Sequence, residues 1–169
     1  MAKKKKVKLG TFGIVTLLLA AAGFVFAIIG IFIPWFSTNG SFLGSVGTNT
    51  EGYALFNENF NKLFEKAETF PLVVVQIFAI SSVVLAGLSA VAVALKSFNI
   101  VKFGGLAKLL VAGLTIAAGI FVIVFSGTFA GDVSGGIEGF AEITTLPIVG
   151  MYFCAIGTIV SGAMLFLKR

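Results

Sequence analysis

The chain has 169 residues, of which 58% are hydrophobic and only 11% are charged. Soluble domains carry about 25% charged residues, so the charges here are too few to cover a water-exposed surface. These values exclude an ordinary soluble domain and favour a protein embedded in a lipid bilayer.

The net charge of +5 does not indicate a nucleic-acid-binding protein, because the charges are sorted along the chain. Ten of the twelve basic residues lie in three groups beside apolar segments: Lys3, Lys4, Lys5, Lys6 and Lys8; Lys96, Lys102 and Lys108; and Lys168 with Arg169. All seven acidic residues lie in the two other polar segments. This sorting is typical of a membrane topology rather than of a nucleic-acid groove, so no nucleic-acid partner is expected.

Four apolar segments are long enough to cross a hydrocarbon layer of about 30 Å, which takes about 20 helical residues. They run approximately over residues 11–35, 71–95, 109–130 and 146–167. Each is expected to be α-helical, since lipid offers no hydrogen-bond partners to an open backbone. A cleaved signal peptide is the alternative for the first segment. Its apolar stretch continues to Phe36, however, beyond the roughly 7–15 residues of a signal core.

The polar segments alternate in charge along the chain. Basic residues precede the first span, occupy the inner loop 96–108 and follow the fourth span, whereas the loops 36–70 and 131–145 hold the acidic residues. Lys and Arg are retained on the cytoplasmic side of a membrane. We therefore expect a multi-pass protein of the cytoplasmic (plasma) membrane, with both termini in the cytoplasm and the acidic loops outside. The N-terminal lysines would also attract anionic lipid headgroups.

Small residues recur every seven positions on the predicted helices. The stripes are Gly13, Ala20 and Ala27; Thr16, Gly23 and Gly30; Ala79 and Ala86; Ser82 and Ser89; Ala112, Gly119 and Ser126; and Gly150 and Gly157. In lipid, helices associate through close backbone approach, and this spacing favours a left-handed four-helix bundle. The alternative is that membrane helices are rich in Gly and Ala without any packing role.

The loop 36–70 is predicted to hold a small β-hairpin or sheet followed by a short amphipathic helix. Residues 41–46 and 52–56 have strand composition and are separated by a Gly-Thr-Asn turn. Over residues 57–68 the apolar side chains fall at helical spacing, with charged residues on the other face. We expect this helix to lie on the bundle or in the headgroup plane.

The loop 131–145 is interpreted as a solvated, acidic segment that helps to set the topology. Asp132, Glu138 and Glu142 offer oxygen ligands for Ca²⁺, but their spacing matches no EF-hand loop. No metal or other cofactor is therefore predicted.

The sequence resembles the claudin-like tetraspan superfamily, which includes claudins and peripheral myelin proteins. The resemblance rests on Pro34-Trp35 at the end of the first span, on Glu51-Gly52-Tyr53-Ala54-Leu55, on the short basic inner loop and on Gly105-Leu106-Ala107-Lys108. It implies a small extracellular sheet on a left-handed four-helix bundle. The chain departs from the family in lacking the loop tryptophan, the loop cysteine pair and the C-terminal scaffold-binding signal.

Catalytic motifs are missing from the sequence. It has no His, no phosphate-binding Gly-Lys-Ser/Thr loop and no Ser/His/Asp set, and its carboxylates all lie in the loops. General acid–base chemistry needs such groups held and desolvated. Cys154 is the single cysteine and lies within an apolar span, where a small buried hydrophobe is the expected role. An enzyme is not predicted.

The leading hypothesis is a non-enzymatic tetraspan that acts as an interaction, scaffold or assembly protein. Its first outer loop and helix surfaces would bind another membrane protein or a second copy of itself. The aromatic residues predicted to contact the partner are Trp35, Phe42, Tyr53, Phe56 and Phe60. Interface anchoring or packing within the loop is their alternative role.

Two other functions fit the same composition. One is a small transporter, channel or transporter accessory subunit, with a pore between copies lined by Ser82, Ser89 and Thr115. The absence of charged residues from the middle of the spans weighs against an ion path. The other is a bacteriocin-immunity or holin-like membrane protein.

Overall fold

The computed structural model describes residues 10–42, 51–56, 72–101, 104–133, 135–137 and 141–168. Within them lie four long helices: α1 (Thr11–Phe32), α2 (Leu72–Ser97), α3 (Gly105–Val133) and α4 (Val149–Leu167). All four are long and apolar enough to cross a membrane. The predicted multi-pass helical architecture is therefore confirmed.

The helix ends differ from the predicted spans by a few residues. α1 ends at Phe32 instead of residue 35, because Ile33 precedes Pro34 and takes an extended backbone with φ −81° and ψ 151°. The proline ring disfavours the helical conformation in the residue before it. α3 begins at Gly105 rather than at residue 109, so Lys108 lies in the first turn of a helix and not in the inner loop.

α2 and α4 each pack against the three other helices, whereas α1 and α3 make few contacts with each other. α1 and α4 make the most extensive helix contact. A Cβ atom added to Gly23 would lie 2.7 Å from the carbonyl oxygen of Gly157, and one added to Gly30 would lie 2.8 Å from that of Gly150. The two backbones approach this closely because no side chain intervenes.

The small-residue stripes form these helix contacts. Their buried members include Thr16, Ala20, Gly23, Ala27 and Gly30 on α1; Ala79, Ser82, Ala86 and Ser89 on α2; Ala112 and Ser126 on α3; and Gly150 and Gly157 on α4. In contrast, long aliphatic and aromatic side chains point outward on all four helices. The arrangement suits lipid, where small residues hold helices together and large apolar ones face the acyl chains. The left-handed sense of the bundle stays a prediction.

A four-stranded antiparallel sheet lies at one end of the bundle. Its strands are β1 (Pro34–Phe42), β2 (Glu51–Ala54), β3 (Gly135–Ile137) and β4 (Ala141–Pro147), in the order β2-β1-β4-β3. β1 is paired with β2 on one side and with β4 on the other, from Phe36 opposite Pro147 to Phe42 opposite Ala141. Both long loops therefore build one sheet, and we call this the sheet end of the bundle.

Two strand predictions need correction. The first strand begins at Pro34, just after α1, and not at residue 41, because β2 pairs with it from Pro34 to Thr38 and β4 pairs with it from Phe36 to Phe42. The loop 131–145, interpreted as a solvated segment, contains β3 and most of β4. Ile143, Thr144 and Thr145 are β-branched in succession, which is the local signal for β4. The predicted amphipathic helix 57–68 lies outside the described residues.

Replacing Gly157 by alanine should lower the thermal stability of the protein in mild detergent. The new Cβ would overlap the carbonyl oxygen of Gly23 and lie 2.6 Å from the backbone nitrogen of Ala27, so α1 and α4 would have to separate. Such overpacking costs about 1–3 kcal/mol. Thermal unfolding followed by circular dichroism measures the change.

The matched control is Gly113→Ala on α3, where an added Cβ meets nothing within 4 Å. Alanine there should leave the stability unchanged or raise it, because alanine has the higher helix propensity. Equal melting temperatures for the two variants would contradict the proposed role of the α1–α4 contact.

Candidate functional site

Trp35 joins the sheet to the bundle. Its side chain is fully buried, and its Nε1 donates a hydrogen bond of 2.6 Å to the carbonyl oxygen of Gly30 near the end of α1. Its own carbonyl accepts a hydrogen bond of 2.7 Å from the backbone nitrogen of Ile148, immediately before α4. One residue thus connects the end of α1, the start of β1 and the start of α4.

Trp35 was predicted to contact an outside partner, and its burial shows that this prediction is wrong. An aromatic residue directly after a membrane span is often an interface anchor. Here no part of the side chain is exposed, so Trp35 takes the alternative role of packing within the chain. The reason is that β1 turns back over the helix ends, which places Trp35 in the apolar cluster beneath the sheet.

The apolar cluster beneath the sheet draws on all four helices and on the first outer loop. Phe36 of β1 and Phe129 of α3 are fully buried, and their ring centroids lie 5.1 Å apart. Leu55, directly after β2, is buried in the same cluster. The side-chain nitrogen of Gln76 on α2 donates a hydrogen bond of 2.9 Å to the Leu55 carbonyl oxygen. This bond holds the segment that follows β2 against α2.

The other predicted contact residues have different positions. Phe56 follows β2 and its side chain is 43% exposed, so it is available to a partner at the sheet end. Phe42 lies in β1 opposite Ala141, and Tyr53 lies in β2 opposite Phe36. The side-chain positions of Phe42 and Tyr53 lie outside the description, and so does Phe60 altogether.

Hydroxyl groups lie in the interior of the bundle, and some of them form hydrogen bonds between helices. Ser89 on α2 and Thr115 on α3 share a hydrogen bond of 2.7 Å. The Ser161 hydroxyl on α4 reaches the carbonyl oxygens of Ala20 at 3.2 Å and Ala86 at 2.9 Å. In lipid such bonds contribute on average about 0.6 kcal/mol each.

The suggested pore between copies is not compatible with this interior. Ser82, Ser89 and Thr115 were its proposed lining, but all three side chains are fully buried within a single chain. Ser82 is bonded to the carbonyl oxygen of Ala79 and lies 3.4 Å from the sulfur of the buried Cys154. Their surfaces therefore face helices of the same bundle and do not face a neighbouring copy.

The opposite end of the bundle, which we call the basic end, carries three described lysines. Lys96 donates a hydrogen bond of 2.8 Å to the Lys168 carbonyl oxygen, and the Lys108 ammonium lies 5.9 Å from the centre of the Phe166 ring. Lys168 is buried, with 8% of its surface exposed, and its Nζ lies 3.5 Å from the Thr16 hydroxyl. Burial, and after it the Lys96 charge, lowers the pKa of Lys168. The other basic residues predicted to set the topology lie outside the described residues: Lys3, Lys4, Lys5, Lys6, Lys8, Lys102 and Arg169.

Replacing Trp35 by phenylalanine should destabilise the protein by about 1–3 kcal/mol, because the Gly30 carbonyl loses its donor and a gap opens beneath the sheet. The melting temperature in mild detergent reports this loss. Phe56→Ala is the control, since removal of an exposed side chain should change the stability by about 0.5 kcal/mol or less. A Trp35→Phe variant as stable as Phe56→Ala would rule out Trp35 as the anchor of the sheet.

In the part of the chain that the structure describes, no three His, Cys, Asp or Glu side chains come together to hold a metal ion. Glu138, one of the three acids considered for Ca²⁺, lies outside that part. Comparison of the sequence with protein-family models and with curated proteins finds no match.

Proposed function

We propose that this protein is a non-enzymatic multi-pass membrane protein that binds another membrane protein, or a second copy of itself, through its sheet end. The attachment of the sheet to the bundle is the observation that carries this proposal. Trp35 bonds to Gly30 and Ile148, and Gln76 bonds to Leu55, directly after β2. A surface held in one conformation loses little entropy on binding, which favours recognition.

The exposed surfaces also favour binding over transport. Phe56 presents an apolar ring beside an edge strand of the described sheet. The helix interior is filled by small residues and by hydroxyls, some of them bonded to neighbouring helices, as expected of a scaffold with a closed core. The resemblance to claudin-like tetraspans points in the same direction and stays a prediction.

A photo-crosslinking amino acid at Phe56 should give a discrete crosslinked protein product in intact cells. The matched control carries the same amino acid at Leu106, which is 76% exposed and lies at the basic end. Only the Phe56 site should trap a protein, identified by mass spectrometry as a partner or as a second copy. A Phe56 site that yields no more product than Leu106, together with a clean monomer in mild detergent, would refute the proposal.

We further propose that the sheet end faces outward and the basic end faces the cytoplasm, as the charge distribution predicts. Phe56→Cys and Phe98→Cys suit a labelling test, because these side chains are 43% and 47% exposed at opposite ends. In a Cys154→Ala background, a membrane-impermeant maleimide should label position 56 in intact cells. Position 98 should be labelled only after permeabilisation. The reverse pattern would invert the topology.

A further inference from the structure

Three lysines from three different segments meet at the basic end. Lys96 lies in the last turn of α2, Lys108 in the first turn of α3, and Lys168 directly after α4. Lys96 bonds to the Lys168 backbone and interacts electrostatically with both other ammonium groups. The fold thus gathers like charges that repel one another.

No acidic side chain of the chain is placed to balance this charge among the described residues. The acidic residues all fall within 51–68 and 132–142, and Asp132 lies near the far end of the 29-residue helix that begins beside Lys108. At 1.5 Å per helical residue the two are about 36 Å apart. The described polar contacts of the three lysines are a backbone carbonyl, a threonine hydroxyl and an aromatic ring.

Lys168 shows the imbalance most clearly. A lysine at the end of a membrane helix ordinarily extends its ammonium outward into water or headgroups. Lys168 instead turns back toward Thr16, the sixth residue of α1. Only 8% of its surface is exposed. The ammonium carries three donors, and its one described acceptor lies at 3.5 Å. A buried cation held this way is stabilised by an anion nearby.

We propose that Lys96, Lys108 and Lys168 form a site for the phosphate group of an anionic lipid headgroup. Phosphate supplies several acceptor oxygens and a negative charge, which the described contacts of the three ammonium groups do not provide. Lys96 and Lys108 are partly exposed and open to a ligand, whereas Lys168 is buried.

The surroundings of the site favour a lipid over free phosphate. The Phe166 ring beneath the Lys108 ammonium is 54% exposed. Leu167, the next residue of the chain, and Leu106, two residues before Lys108, are 50% and 76% exposed. These residues lie at the end of membrane-spanning helices, where the acyl chains of a bound lipid would cover them. A lipid whose headgroup occupies the site would therefore place its acyl chains against an apolar surface.

The test measures lipid binding to the full chain in a zwitterionic detergent by native mass spectrometry. Phosphatidylglycerol should bind at least tenfold more tightly than phosphatidylcholine. Lys96→Gln and Lys108→Gln should each weaken phosphatidylglycerol binding about fivefold and leave phosphatidylcholine binding unchanged. Lys66→Gln is the matched control, since it removes the same charge from the acid-rich segment and should have no effect.

Lys168→Gln should weaken binding at least as much, and its circular dichroism shows whether it folds. If it does not fold, the Lys96 and Lys108 variants decide the matter. Equal affinity for the two lipids, or Lys96 and Lys108 variants that bind like Lys66→Gln, would overturn the proposal. Stabilisation by inorganic phosphate to the same melting temperature as by phosphatidylglycerol would overturn the assignment to a lipid.

Discussion

The backbone contact between α1 and α4 is the constraint on which the other features depend. In a bilayer, apolar side chains gain little by leaving lipid for one another, so helices are held by dispersion at short distance and by a few hydrogen bonds. Gly23, Gly30, Gly150 and Gly157 permit this distance. With α1 against α4, the end of the first helix lies beside the start of the last one. The two long loops therefore emerge next to each other.

That proximity explains the sheet. β1 follows α1 and β4 precedes α4, so the two strands leave adjacent helix ends in opposite chain directions and pair as antiparallel neighbours. Trp35 lies at this junction, where its indole and its backbone each complete a hydrogen bond to a different helix end. The binding surface proposed at the sheet end is consequently an extension of the bundle and depends on its packing.

The two ends of the bundle differ in charge and in how their polar groups are satisfied. At the sheet end, backbone groups pair across strands and Gln76 bonds to Leu55, so these polar groups have their hydrogen-bond partners within the chain. At the basic end, Lys96, Lys108 and Lys168 lie together without a described carboxylate. The sheet end would suit a protein partner, and the basic end an anionic membrane surface. Anionic lipids of the bilayer would thus supply the negative charge that the described residues at the basic end do not.

The sequence by itself determined the four spans and their contact stripes, because apolar length and seven-residue spacing are local properties of a helix in lipid. It also predicted Phe56 as a partner contact; that side chain is exposed, and the contact stays a prediction. Phe60 and the predicted helix around it lie outside the described residues. Only the tertiary structure decided that β1 pairs with β4, since strands about a hundred residues apart meet through the helices between them. The burial of Trp35 and the inward turn of Lys168 were decided in the same way. Each side chain lies where neighbours from distant segments surround it, and no local pattern records those neighbours.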